Sequence, residues 1–188
     1  MTPLVCLPHE RESASLTDRE LREVGRRVLE EEGRTLLRAA AALDDGLVQA
    51  ARCVASCTGR VVVSGLGKSG LIGRKIAATL ASLGTPAFFL HAAEGSHGDL
   101  GMVCREDVGL FLSNSGETRE VLELVPFFRR LGAPLIALTG RTDSSLARVA
   151  DIVLDSSVER EADPLGLAPT SSTTLQLALG DALAGMVT

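Results

Sequence analysis

Apolar and polar positions follow two different periods along this chain, and the change of period divides it. From Thr17 onward Leu21, Val24, Val28, Leu29, Leu36 and Leu37 recur at helical spacing among Arg and Glu, which predicts a long amphipathic helix. Thr17 with Glu20 three residues later has the form of a capping box that starts it. The apolar stripe of such a helix must lie on the domain or share in a subunit interface. Asp44-Asp45 offers caps for a second helix through Cys57, ended by Gly59. Residues 1–16 mix Pro, Ser and charge without a period and read as a flexible tail.

Beyond Gly59 short apolar runs take over, at Val61–Ser64, Ala87–Leu90, Val108–Ser113, Leu135–Thr139 and Ile152–Leu154. Helical stretches near 69–83, 117–131 and 144–149 lie between most of them, and a last one runs near 170–187. Five β-rich runs alternating with helices predict an α/β fold, a parallel sheet covered on both faces. The organisation is thus a tail (1–16), N-terminal helices (17–58) and an α/β domain (59–188). Ligands of such sheets bind beyond the carboxyl ends of the strands, so polar residues just after strands are the ones to inspect.

Composition removes several function classes. A net charge of −5 and no basic stripe argue against nucleic acid as the main partner. Aromatic content of 3%, with no Trp or Tyr, leaves no stacking platform for bases or sugars. No apolar run approaches the roughly 20 residues that span a bilayer. The charged start lacks a signal-peptide core, so a cytoplasmic protein with no membrane partner is expected. Cys6, Cys53, Cys57 and Cys104 show no paired metal-type spacing and read as reduced, mostly buried thiols.

Three post-strand segments are polar and rich in glycine or hydroxyls. The first, Ser64–Gly70, opens a helix and carries Gly67, Lys68 and Ser69. Gly65, Gly67 and Gly70 mimic a dinucleotide loop, but no acidic residue closes the next strand, which ends in Leu90-His91. A phosphate suits it better, held by backbone N–H groups at the helix start. The second, Ser113-Asn114-Ser115-Gly116-Glu117-Thr118, crowds three hydroxyls and an amide at a helix start. Capping explains one of these; a three-oxygen anion would use them all. Glu117 is read as serving the helix start rather than a ligand. The third, Glu161 to Thr174, holds two prolines and the hydroxyls of Thr170, Ser171, Ser172, Thr173 and Thr174, of which capping accounts for one or two.

These segments carry a resemblance. Ser113–Thr118 is similar to the phosphosugar-binding signature of sugar isomerase (SIS) domains. More narrowly, Gly65–Gly70, Thr85–His91, Ser96–Met102 and Pro164–Thr174 resemble the arabinose-5-phosphate isomerases (KpsF/KdsD type) of Kdo and lipopolysaccharide synthesis. The match runs from about residue 59 to the C-terminus. It implies a three-layer α/β/α sandwich on a five-stranded parallel sheet, a homotetramer and a pentose phosphate as small-molecule partner. It also implies cofactor-independent interconversion of D-ribulose 5-phosphate with D-arabinose 5-phosphate. By matching position, Ser69, Ser113, Asn114, Ser115 and Thr118 would hold the phosphate, with weaker contributions from Gly67, Ser171, Ser172 and Thr173. Lys68, Glu120, Glu161 and His97 would stand at the reacting end. No metal would be required, and inhibitory zinc would bind at His97.

The residue types suit that chemistry. Aldose–ketose exchange moves a proton between C1 and C2 through a cis-enediol(ate), so a carboxylate beside the sugar is a sensible base. Lys68 would stabilise the developing enediolate oxygen. Each also has a plain structural use: Glu120 one turn into a helix complements the macrodipole, Glu161 sits in a loop open to solvent, and His97 has a backbone carbonyl within chain reach. His91 and His9 are weaker candidates. The reading leaves open which glutamate abstracts the proton. The alternatives are a non-catalytic phosphosugar sensor and an isomerase of another phosphosugar, such as a hexulose 6-phosphate.

Three departures from the family pattern stand out. Asp163 replaces the usual cysteine, which predicts a raised Glu161 pKa through like-charge proximity. The family continues into a His-Pro-Gly-Gly segment whose histidine reaches a neighbouring subunit's site, and then into CBS modules. This sequence stops at Thr188 before either, as a truncated piece or a natural short form. If that histidine is an essential acid or base, binding is retained here and turnover is poor.

Overall fold

Helix α1 (Asp18–Ala41) starts where the capping box predicts. Thr17 Oγ1 accepts from Glu20 N at 3.3 Å, and Glu20 reaches back to Thr17 N at 2.8 Å. These bonds come from a computed structural model, which describes residues 16–95 and 97–188. Residues 1–15 of the expected tail, with Cys6 and His9, lie outside the described residues, as does Ser96. Helix α2 (Asp45–Ala55) is capped by Asp44 and ends two residues earlier than the pattern suggests. Then β1 (Val61–Gly65), α3 (Gly67–Ser82), β2 (Ala87–His91), α4 (Ala92–Gly95) and a 3₁₀ turn (Asp99–Met102) follow. The chain continues through β3 (Val108–Leu112), α5 (Arg119–Leu131), β4 (Leu135–Thr139), α6 (Ser145–Val149), β5 (Ile152–Asp155) and α7 (Ser171–Met186).

The five strands form one all-parallel sheet in the order β2-β1-β3-β4-β5. Buried on both faces, its middle strands need apolar residues at every position, so they lack alternation in sequence. Successive side chains point to opposite sides. Val61, Val63, Leu110, Leu112, Ile136 and Leu138 join α2, α3 and α7 on one face. Val62, Phe111, Leu135 and Ala137 join α5 and α6 on the other, where Phe111 meets Phe128 edge to face at 5.0 Å. The result is the expected three-layer sandwich. Leu175 and Leu179 lie with Leu154 and Asp155 around one cavity. Helix α7 therefore starts at the carboxyl edge of the sheet. Farther along, a Cβ on Gly180 would stand 2.4 Å from Ile76, and Lys75 bonds Asp181, so α7 packs closely on α3.

The N-terminal helix differs from the simplest expectation. Leu29 and Leu37 remain 73% exposed and Leu21 is exposed too, so most of the apolar stripe is not consumed within the protomer. What α1 buries is polar, namely Thr35 and Glu31, the latter 5% exposed. Glu31 accepts from Arg34 at 2.8 Å and from Arg160 of the loop before α7. The Arg160 guanidinium holds the Glu31 carboxyl down to about 2, against the opposing pull of desolvation, with Arg34 adding to it. A carboxylate whose pKa is lowered on folding stabilises fully above its ordinary value of 4.5 and loses that contribution as pH falls toward about 2. Glu31→Gln should flatten the acid limb of stability in that window, read from urea midpoints at stepped pH; an unchanged limb would contradict the pairing.

Candidate functional site

Which of the polar residues meet is decided by the strand ends. β1 and β3 are neighbours in register, Gly65 opposite Leu112. The chain leaves β1 toward β2 on one side and leaves β3 toward β4 on the other. The loops behind them diverge to opposite faces, and the gap between is the switch point of the sheet. Lys68 and Ser69 stand on one lip, and Ser113 to Glu120 on the other.

Both helices that open at this gap start without a side-chain cap. The N-cap positions are Leu66 for α3 and Thr118 for α5, and neither side chain bonds its first turn. First-turn N–H groups and the positive ends of both helix dipoles are left for an anion. Gly67 begins α3 with a φ of 58°. A Cβ on Gly70 would lie 3.0 Å from the Gly65 carbonyl, so these glycines bring helix and strand end together. Lys68 is exposed in the first turn and Ser69 half-buried.

The second lip is built around Ser113, which is 1% exposed. Its Oγ accepts from Gly116 N at 3.0 Å and lies 2.8 Å from Thr118 Oγ1. Ser113 thus shapes the loop, while Asn114 and Ser115 are exposed on it. Asn114 O accepts from Gly140 N at 3.0 Å, tying the loop to the end of β4. Gly116 has a φ of 65°, and a Cβ there would overlap Ser144 Oγ at 2.0 Å. Glu117 does serve a helix start, but that of α6. Its carboxylate accepts from Ser145 N at 2.8 Å, and this bond keeps it below the usual carboxylate range. Glu120 is half-buried in the first turn of α5, and its carboxylate has no hydrogen-bond partner among the described residues.

Glu161 belongs to the loop ahead of α7 and supplies the cap that Thr170's own side chain does not. Its Oε2 accepts from Thr170 N at 2.7 Å and Ser172 N at 3.2 Å, and its Oε1 from the Ser172 hydroxyl at 2.5 Å. Desolvation pushes this carboxyl up, but the hydrogen bonds from Ser172 and Thr170 outweigh it and leave the pKa lowered. The expected rise from Asp163 is therefore corrected. Asp163 turns its oxygens to the N–H groups of Leu167 and Ala168, at 2.7 and 2.9 Å, and organises the loop. Ala168 and Leu167, with Leu165, lower its own pKa.

Of the α7 hydroxyls, Ser172 is engaged by Glu161, and Thr173 donates to Thr170 O at 2.9 Å. Ser171 is buried with its Oγ unpaired. His97 is exposed just before Gly98, whose φ of 128° turns the chain into the 3₁₀ turn. His91 is half-buried at the end of β2, its ring edge-on to Phe89. Burial raises the thiol pKa of both Cys53 and Cys57, which makes them poor nucleophiles. Among the described residues no three His, Cys, Asp or Glu converge as a metal site, and no helix is long and apolar enough to cross a membrane.

Comparison with known proteins agrees with this geometry. A family model described as SIS domain matches residues 55–186. The arabinose 5-phosphate isomerase KdsD of Pseudomonas aeruginosa PAO1 is 58% identical over 144 residues, which is 77% of this chain and 44% of that protein. The KdsD of Salmonella typhi is 52% identical over 165 residues, 88% of this chain and 50% of that protein. The chain thus spans about half the length of these relatives. A solved Escherichia coli CFT073 protein in complex with arabinose 5-phosphate superposes with a TM-score of 0.88 at 41% identity, covering 92% of each chain.

Gly116→Ala tests the anion loop. Left-handed strain alone costs about 1–2 kcal/mol, and the overlap with Ser144 adds to it. The melting temperature should fall by roughly 2–8 °C, and any rise in it that inorganic phosphate gives the wild type should shrink. A variant with wild-type melting and an undiminished rise would remove Gly116 from the site.

Proposed function

The chain belongs to the SIS domain family, and from that premise we propose that it interconverts D-ribulose 5-phosphate and D-arabinose 5-phosphate. The observation that carries this reading is the match, over 92% of both chains, to a protein solved with arabinose 5-phosphate. The uncapped pair of helix starts at the switch point supports it. The remainder of the proposal is a cytoplasmic homotetramer that supplies arabinose 5-phosphate to Kdo and lipopolysaccharide synthesis. The exposed stripe of α1 is consistent with subunit contact.

In this reading the phosphate sits on the start of α5, held by its first-turn N–H groups and by Asn114, Ser115 and Thr118. Ser113 fixes the loop from beneath, and Ser69 reaches in from α3. The sugar then runs toward Lys68, Glu120 and Glu161, with His97 and Gly67 at the margin. Proton transfer between C1 and C2 passes through a cis-enediol(ate). Lys68 stabilises the negative oxygen as it forms, more strongly in a site closed to water than in bulk solvent.

Glu120 is the better candidate for the base. A base works best with a pKa near the operating pH. Glu161 is held below the ordinary range by donors that would have to be released first. Its role here is to orient the sugar hydroxyls while it caps α7. His97 is the proposed contact for inhibitory zinc, with no metal in the chemistry.

Incubation with arabinose 5-phosphate in deuterated water should yield ribulose 5-phosphate with deuterium at C1, and arabinose 5-phosphate recovered at equilibrium should carry deuterium at C2. Absence of both would defeat the catalytic reading. Thermal stabilisation by arabinose 5-phosphate without turnover would instead favour a sensor, and turnover of a hexulose 6-phosphate alone would reassign the substrate.

A further inference from the structure

Glu161 stands in a loop, and a loop side chain that must meet a sugar needs something to fix its backbone. Its carboxylate is bound to the start of α7. The preceding residue Arg160 reaches α1 and bonds Glu31, which Arg34 also bonds at 2.8 Å. Glu31 is nearly buried and Arg160 largely exposed, so the guanidinium reaches in to a carboxylate already placed on the helix. Below this bridge Val24, Val28 and Pro164 help line an open cavity of about 370 Å³ between α1 and the loop. Packing there is sparse, and the ion pair spans the gap in its place.

From this geometry we infer that Glu31 is a positioning residue. Through Arg160 it sets the backbone at Glu161, and so the place of the carboxylate relative to both the sugar and α7. A nearly buried carboxylate stripped of its cation is strongly unfavourable. The pair therefore behaves as a strut of defined length rather than as one more surface contact. Pairs such as Arg26 with Glu30 bridge one turn of α1 to the next. Arg38 with Glu159 is a second tie to the same loop, but between two exposed side chains, where an ion pair contributes little. The inference rests on the isomerase reading for its catalytic meaning, though the strut itself stands on the geometry alone.

The test compares wild type, Glu31→Gln, Arg160→Gln, the double variant of the two, and Glu30→Gln as a control. With arabinose 5-phosphate, Glu31→Gln should lose about 10- to 100-fold in kcat, the effect expected of a small misplacement at a distance. Its KM should stay within about twofold, because the phosphate is gripped on a different loop. Arg160→Gln should show the same loss, the double variant should lose no more than either single one, and Glu30→Gln should match wild type. Amide hydrogen exchange supplies a readout independent of turnover. In Glu31→Gln the amides of Thr170 and Ser172 should exchange faster, while those of Ser113–Thr118 stay as in wild type.

Unchanged kcat, unchanged exchange at Thr170 and Ser172, or additive losses in the double variant would each overturn the strut. Equal loss of protection at both loops would overturn it too, since that marks general destabilisation. If wild type shows no turnover, the isomerase reading fails by itself, and the exchange comparison still decides whether Glu31 holds the loop.

Discussion

The constraint on which everything else depends is the adjacency of two parallel strands whose chains leave in opposite directions. β1 and β3 share a register, so their ends lie one strand spacing apart. Crossover connections then carry α3 and α5 to opposite faces. No side chain has to hold the gap open, because topology does. Around it the protein leaves two helix starts without caps and completes a third, α7, with a carboxylate of its own. Anion affinity and helix termination are one physical problem, solved differently at three places along one edge.

The carboxylates divide the labour. Glu117 ends its reach on α6, Asp163 folds its loop, Glu31 meets two guanidinium groups, and Glu161 caps α7. Each is tied down by donors that hold it ionised. Glu120 alone among the acids placed near the gap is without such a partner among the described residues. A site that removes a carbon-bound proton benefits from one acid left unbonded among several that are satisfied.

Much of the fold was legible from the chain. Val61–Val63 and Leu135–Leu138 are apolar throughout because their strands are covered on both faces. The Thr17–Glu20 box is local chemistry that sequence spacing exposes. Helix α4 and the 3₁₀ turn leave no such trace, since four residues apiece carry no period. The second loop was recognisable by its crowding of hydroxyls, but not the inward role of Ser113, which only the contact with Gly116 and Thr118 reveals. Glu31 sits among other Glu and Arg residues on a helix and looks solvated, because its partner lies 129 positions away. The same holds for Glu161, whose backbone partners follow 9 and 11 residues later, beyond any capping-box spacing.

The uncapped start of α5 has a consequence for what the stability of this protein means. A helix whose terminal N–H groups wait for an anion is finished only when the anion arrives, so occupied and empty chains are different thermodynamic species. A ligand present at 100 times its dissociation constant adds about 2.7 kcal/mol to the folded state. For any anion that fills that gap, the folding equilibrium would report its free concentration, and the population would lie nearest the edge of unfolding when that anion is scarce.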